Sequence, residues 1–147
     1  MQKEMTPEQK AYSKAVKYLC KVEDIDNMIT KKQEQIDSLR SLASSTALHT
    51  DSERVQTSGS GDKIGDCCAK IADLCAEINQ DIDDFVDTKA DIMHTIDKLD
   101  DLEERRLLYC RYFQYMPMIK IAQEMCVSER HIYRMHKTAV QHIAEIL

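Results

Sequence analysis

The sequence predicts an all-α protein: a long antiparallel helical hairpin or coiled coil, followed by a C-terminal helix-turn-helix. Three observations carry this. Three Gly, two Pro and no Trp among 147 residues, with aromatic residues at 5%, leave too few turn formers and β-favouring side chains for a sandwich or barrel. Two long stretches repeat apolar residues at alternating three- and four-residue spacing. Near the C-terminus that rhythm gives way to two short amphipathic segments around a tight turn. A chain of this length holds one modest domain, or a small domain plus an elongated element.

The first helix opens at Thr6-Pro7-Glu8-Gln9. Thr6 suits the N-cap, Pro7 the first helical position, and Gln9 closes a capping box three residues on. Its seam reads Ala15, Tyr18, Val22, Ile25, Ile29, Lys32, Ile36, Leu39 and Ala43, with Lys32 its one charged interruption. Residues 1–43 are therefore assigned to a first heptad helix. Residues 44–62, rich in Ser, Thr and Asp and holding Gly59-Ser60-Gly61, form a flexible linker. Residues 63–99 form the second heptad helix, with the seam Ile64, Cys68, Ile71, Cys75, Ile78, Ile82, Phe85, Lys89, Ile92, Ile96 and Leu99.

Matching lengths favour folding back, with Ala43 near Ile64 and Tyr18 near Lys89. Each stripe could equally seek a second chain. Two helices alone bury little apolar area and an a/d seam leaves no third layer, so a homodimer through the long helices is expected.

Residues 100–147 are assigned to a helix-turn-helix domain. Asp100-Asp101-Leu102-Glu103-Glu104 places carboxylates at a helix N-terminus, and Leu107, Leu108 and Tyr112 begin a short helix that ends near Tyr115. Pro117 to Met125 reads as the next helix, Cys126-Val127 as the turn, and Ser128 as N-cap of a last helix to about Ile146. Ile121, Ala122, Met125, Val127, Ile132 and Met135 occupy the inward positions of two helices crossing over a short turn. Outward lie Ser128, Glu129, Arg130, His131, Tyr133, Arg134 and Lys137, with Lys120 on the preceding helix. Arg pairs with guanine O6/N7 or with phosphate, and Tyr with phosphate oxygen, so this face carries the chemistry of a major-groove reader.

The formal charge of −6 divides unevenly along the chain. Residues 105–147 hold seven Lys and Arg against three Asp and Glu, and residues 1–104 hold thirteen against twenty-three. A basic tail on an acidic body points to an anionic partner for the tail.

Other chemistries find no support. The six cysteines contain no C-x-x-C, and adjacent Cys67 and Cys68 diverge by about 100° on a helix, so reduced thiols are expected rather than a metal site or a disulfide framework. His131 and His136, five apart, fall on different faces, and His142 three before Glu145 is an ordinary surface spacing. All three glycines lie in or beside the linker, so no phosphate loop or nucleophile elbow is available. The Asp81–Asp87 cluster lies on a continuous helix that cannot wrap an ion. No catalytic residue, metal, cofactor or small-molecule substrate is assigned. A polar N-terminus and the lack of a long apolar run leave no secretory signal or membrane span, and the expected location is the cytoplasm.

Leu107-Leu108-Tyr109-Cys110-Arg111-Tyr112, then Ile121-Ala122 through Met125, Val127-Ser128, Arg130 and Ile132-Tyr133-Arg134, and finally Ala139-Val140 and Ile143, resemble region 4 of sigma-70 type factors. Cys126 stands where such turns commonly use Gly, and Lys120 where region 4 usually has an acidic residue. Together with Tyr18-Leu19, Ile25-Asp26, Leu39-Arg40-Ser41-Leu42-Ala43 and Val55-Gln56-Thr57-Ser58, these residues make the chain similar to small phage and prophage proteins of Firmicutes related to the ArpU and RinA type late-gene regulators. The resemblance implies a phage-encoded transcription regulator that binds double-stranded DNA in the host cytoplasm and acts with host RNA polymerase. A segment able to hold melted promoter strands is absent, so a complete sigma factor is not expected. The alternative is an interaction module whose acidic coil and helix-turn-helix bind polymerase or a packaging protein without reading DNA.

Overall fold

The structure, a computed structural model, describes residues 5–50 and 60–147. Among these residues it is all-helical: α1 (Pro7–Thr50), α2 (Ser60–Asp97), α3 (Leu102–Tyr112), α4 (Met118–Glu124) and α5 (Glu129–Ile146). No helix among them is long and apolar enough to cross a membrane. The chain forms two compact units. One comprises residues 1–24 and 85–147, the other residues 25–84.

α1 starts as its capping box dictates. The Gln9 amide N–H donates to Thr6 Oγ1 at 3.3 Å, and the Thr6 amide donates back to Gln9 Oε1 at 3.1 Å. The helices run further into the joint than expected, α1 to Thr50 and α2 from Ser60. The expected linker at 44–62 is thus helical over 44–50 and 60–62, and its remainder, including Val55-Gln56-Thr57-Ser58 and Gly59, lies outside the described residues. Lengthening α1 moves the middle of the joint, which shifts the cross-helix register. Tyr18 meets Asp91 and Thr95 (2.6 and 2.9 Å) rather than Lys89.

In the unit of residues 25–84, α1 and α2 pair within the chain. Ile36 and Ile78 are buried, and Ile25, Ile29, Leu39 and Ile71 are half-buried. Lys32 crosses to α2, its Nζ 2.6 Å from Asp81 Oδ2 and 3.1 Å from Glu77 Oε2. Here the expected seam needs correction: Ile82 is 43% exposed and Cys68 is exposed, while the residues one position earlier, Asp81 and Cys67, turn inward. Lys32 on the facing helix decides the choice at 81 and 82, because an ammonium inside the seam must be met by a carboxylate; among the described residues the exposure of Cys68 has no such partner to explain it.

The other unit has a single core. Ala15, Leu19 and Val22 of α1 and Ile92, Ile96 and Leu99 at the end of α2 are buried with Leu107 and Leu108 of α3, Ile121 of α4, and Ile132, Val140 and Ile143 of α5. Phe85 packs at its margin. The helix-turn-helix at 100–147 is therefore not an appended domain. The first turns of α1 and the last turns of α2 are part of its core, and they supply the third layer that a bare seam lacks.

That division also redistributes the charge. Residues 1–24 and 85–147 hold fourteen Lys and Arg against fourteen Asp and Glu, while residues 25–84 hold six against twelve, so the entire excess of −6 sits on the second unit.

Candidate nucleic-acid interface

The elements that carry the exposed basic residues are fixed at every joint. Asp101 caps α3, its Oδ1 accepting from the Glu103 amide at 2.8 Å. α3 ends at Tyr112; the chain then turns through Tyr115 in the left-handed region (φ 53°), and the Met116 amide donates to the Cys110 carbonyl at 3.0 Å. Pro117, extended at φ −67° and ψ 146°, starts α4.

α4 ends in a Schellman motif. The Val127 amide donates to the Ala122 carbonyl at 2.9 Å and the Cys126 amide to the Gln123 carbonyl at 3.2 Å, with Cys126 between them at φ 55°. Cys126 thus holds the left-handed position that glycine favours. Ser128 then caps α5, its Oγ accepting from the His131 amide at 3.2 Å.

This turn sorts the two helices into faces. Ile121, Ala122 and Ile132 are fully or almost fully buried, and Met125, Val127 and Met135 pack half-buried against them. Ala122 is 2% exposed, the small residue of the inward set. On the opposite side Lys120, Ser128, Glu129, Arg130, His131, Tyr133, Arg134 and Lys137 are all exposed. Among the described residues no carboxylate within 4 Å engages Lys120, Arg130, Arg134 or Lys137. α5 therefore presents a row of uncompensated cations and one exposed aromatic hydroxyl.

Two histidines of α5 help to hold it in place: His142, exposed as its surface spacing suggests, and His136, half-buried. His142 Nδ1 lies 2.8 Å from Oε2 of Glu104, a carboxylate only 6% exposed on α3. The hydrogen bond to Glu104 raises the His142 pKa above its ordinary value. His136, half-buried, shares a 2.9 Å hydrogen bond with the Tyr112 hydroxyl and stacks on that ring at 5.8 Å. Burial, and after it the nearby Arg111, lower its pKa below the ordinary histidine value. The i, i+3 spacing to Glu145 gives no hint of either contact, since both partners lie more than twenty residues away in sequence.

A groove of about 960 Å³ separates α5 from the start of α1, with Tyr133, Lys137 and Gln141 on one wall and Met5, Gln9 and Tyr12 among the residues on the other. Beyond it, on the next face of α1, lie Lys10, Lys14, Lys17 and Lys21. Sequence reasoning misses these lysines because they fall within an acidic stretch of 104 residues. Their spacing of four, three and four residues is the available signal. Among the described residues no group of three or more His, Cys, Asp or Glu is disposed to hold a metal ion.

Residues 42–144 match a family model described as "Protein of unknown function (DUF1492)". No curated protein and no solved structure matches the chain.

Proposed function

We propose that this chain, which belongs to the DUF1492 family, is a sequence-specific duplex-DNA-binding regulator of transcription that places the N-terminal half of α5 in the major groove. One observation carries the reading: α4 and α5 close on a buried core around a Schellman turn, and every basic side chain on the far side is exposed and without a carboxylate partner. Arg130 and Arg134 lie one turn apart on one face, the spacing with which a recognition helix reaches adjacent base edges or the flanking phosphates. Regulation of phage late genes, action with host RNA polymerase and residence in the host cytoplasm follow from the resemblance to the ArpU and RinA type regulators. A homodimer through the long helices would set two recognition helices on spaced half-sites, and the exposed Met28 and Ile82 of the unit at residues 25–84 are apolar surface for that contact.

The test is selection of duplex fragments from the source genome by the purified protein at near-physiological salt, beside an Arg130→Glu, Arg134→Glu variant. The reading expects one or a few sites recovered by the wild type and lost by the variant. Recovery of the same diffuse pool by both ends it. A second reading draws on the charge of −6 carried by residues 25–84: an interaction module whose acidic coil docks a basic partner such as polymerase or a packaging protein. In that case substitution of Asp83 and Asp84, not of the arginines, abolishes function.

A further inference from the structure

The lysines of α1 form a patch that the fold does not use. Residues 9–22 contain Lys10, Lys14, Lys17 and Lys21 and no Asp or Glu. All four lysines are exposed. Their spacing puts them on one face over about 16 Å of helix, at 1.5 Å per residue. Among the described residues none has a carboxylate within 4 Å, and Lys21 sits over the Tyr18 ring at 5.4 Å. Like charges three and four residues apart weaken a helix, and a cation one turn from its N-terminus opposes the helix dipole. The stripe therefore costs the folded chain stability and returns little to its packing.

The stripe belongs to the same compact unit as α5. The groove beside it has α5 residues Tyr133 and Lys137 on its other wall. We propose that Lys10, Lys14, Lys17 and Lys21 form a second, sequence-independent contact to the phosphates of duplex DNA, extending the footprint of α5 beyond the bases it reads. The proposal rests on the DNA-binding reading above. Two exposed apolar side chains, Met5 and Leu147, flank the stripe, but duplex DNA is favoured over an anionic membrane surface because the lysines share one compact unit with the uncompensated cations of α5, and a single duplex satisfies both sets. Four ammonium groups over this length match a run of backbone phosphates, whose neutralisation releases counterions.

The experiment compares the full-length wild type with a Lys10→Gln, Lys14→Gln, Lys17→Gln, Lys21→Gln variant and with Arg130→Ala, Arg134→Ala. Glutamine keeps helix propensity close to that of lysine, and circular dichroism checks the fold. Binding to a labelled duplex of scrambled sequence is followed by anisotropy across a salt series. The proposal expects the slope of log Kobs against log salt to become shallower by about 3 to 4 in the lysine variant, at about 0.9 for each phosphate no longer neutralised. An unchanged slope overturns it, and the reading of α5 still stands if the arginine variant loses its selected site. A shallower slope with no selected site for the wild type supports the phosphate contact and ends the sequence-specific reading. Binding of the wild type to phosphatidylserine vesicles but not to duplex overturns it in favour of a membrane. Self-association that disappears in the lysine variant, with the DNA slope unchanged, overturns it in favour of a second copy's acidic unit.

Discussion

Replacing Cys126 by glycine should stabilise the protein although it removes a side chain. Cys126 holds φ at 55° in the Schellman turn between α4 and α5, and its thiol is exposed, so little packing is given up. An L-residue in the left-handed region costs about 1–2 kcal/mol, which glycine avoids. Against this, glycine adds backbone entropy to the unfolded chain, a cost of roughly 0.5–1 kcal/mol. The net expectation is a gain of about 0.5–1 kcal/mol. Valine should do the reverse, since a β-branched side chain tolerates this region least. Urea unfolding followed by tyrosine fluorescence is the assay, because the chain has no Trp and all six Tyr (12, 18, 109, 112, 115 and 133) lie in the unit of residues 1–24 and 85–147. With a slope near 2 kcal/mol per molar urea, the midpoint of Cys126→Gly rises by about 0.25–0.5 M. A lower midpoint for glycine, or an unchanged one for valine, would refute the assignment of a left-handed turn at this residue.

Ala122→Leu should cost about 1–3 kcal/mol by overpacking the α4–α5 crossing, with specific DNA binding abolished in parallel; wild-type stability would show that the helices do not close there. In the other unit, at a dilution that leaves the chain monomeric, Ile78→Ala should cost about 2–4 kcal/mol while Ile82→Gln stays within about 0.5 kcal/mol, read by far-UV circular dichroism; equal costs would restore the intramolecular seam through Ile82. The two histidines give opposite pH limbs. His142, raised by Glu104, contributes stability that is complete below its unfolded value near 6.5 and lost as pH climbs through its folded value. His136, lowered by burial, contributes the opposite limb: stability falls as pH drops from about 6.5 toward its folded value. Thermal midpoints between about pH 5 and 8 should therefore peak near the ordinary histidine value, and His142→Gln should flatten the alkaline limb only.

The parts legible in the sequence are those set by local rules. The Thr6 capping box, the Ser128 N-cap, the break at Pro117 and the inward set Ile121, Ala122 and Ile132 each depend on neighbours within a few residues. The seam of α1 is equally plain, because Lys32 is its one charged member. On α2 the choice between residues 81 and 82 is not local. Hydrophobicity alone selects Ile82, and the partner on the other helix selects Asp81. Thr95 is a related case: it is buried at 6% exposure with its hydroxyl 2.9 Å from that of Tyr18, a contact that hydrophobic spacing does not signal. Where α1 sends a polar group toward α2, the residue facing it is polar: Asp81 takes the inward place expected of Ile82, whereas Thr95 is buried in addition to Ile96.

Those polar layers also bear on how α5 is held. A uniformly apolar pair of helices can slide by a heptad at little cost, whereas a lysine that must find Asp81, and a tyrosine that must find Asp91 and Thr95, fix one register. The Tyr18 layer lies in the unit that contains α5, whose core draws on Ala15, Leu19 and Val22 of α1. A slip of α1 along α2 there would displace those three residues within the core that also holds Ile132, Val140 and Ile143. The hairpin base is thus the bed on which the exposed basic face of α5 is laid, and it brings the α1 lysines into the same compact unit. If α5 reads bases, the accuracy with which it is presented depends on Tyr18, Asp91 and Thr95 as well as on the side chains of α5 itself.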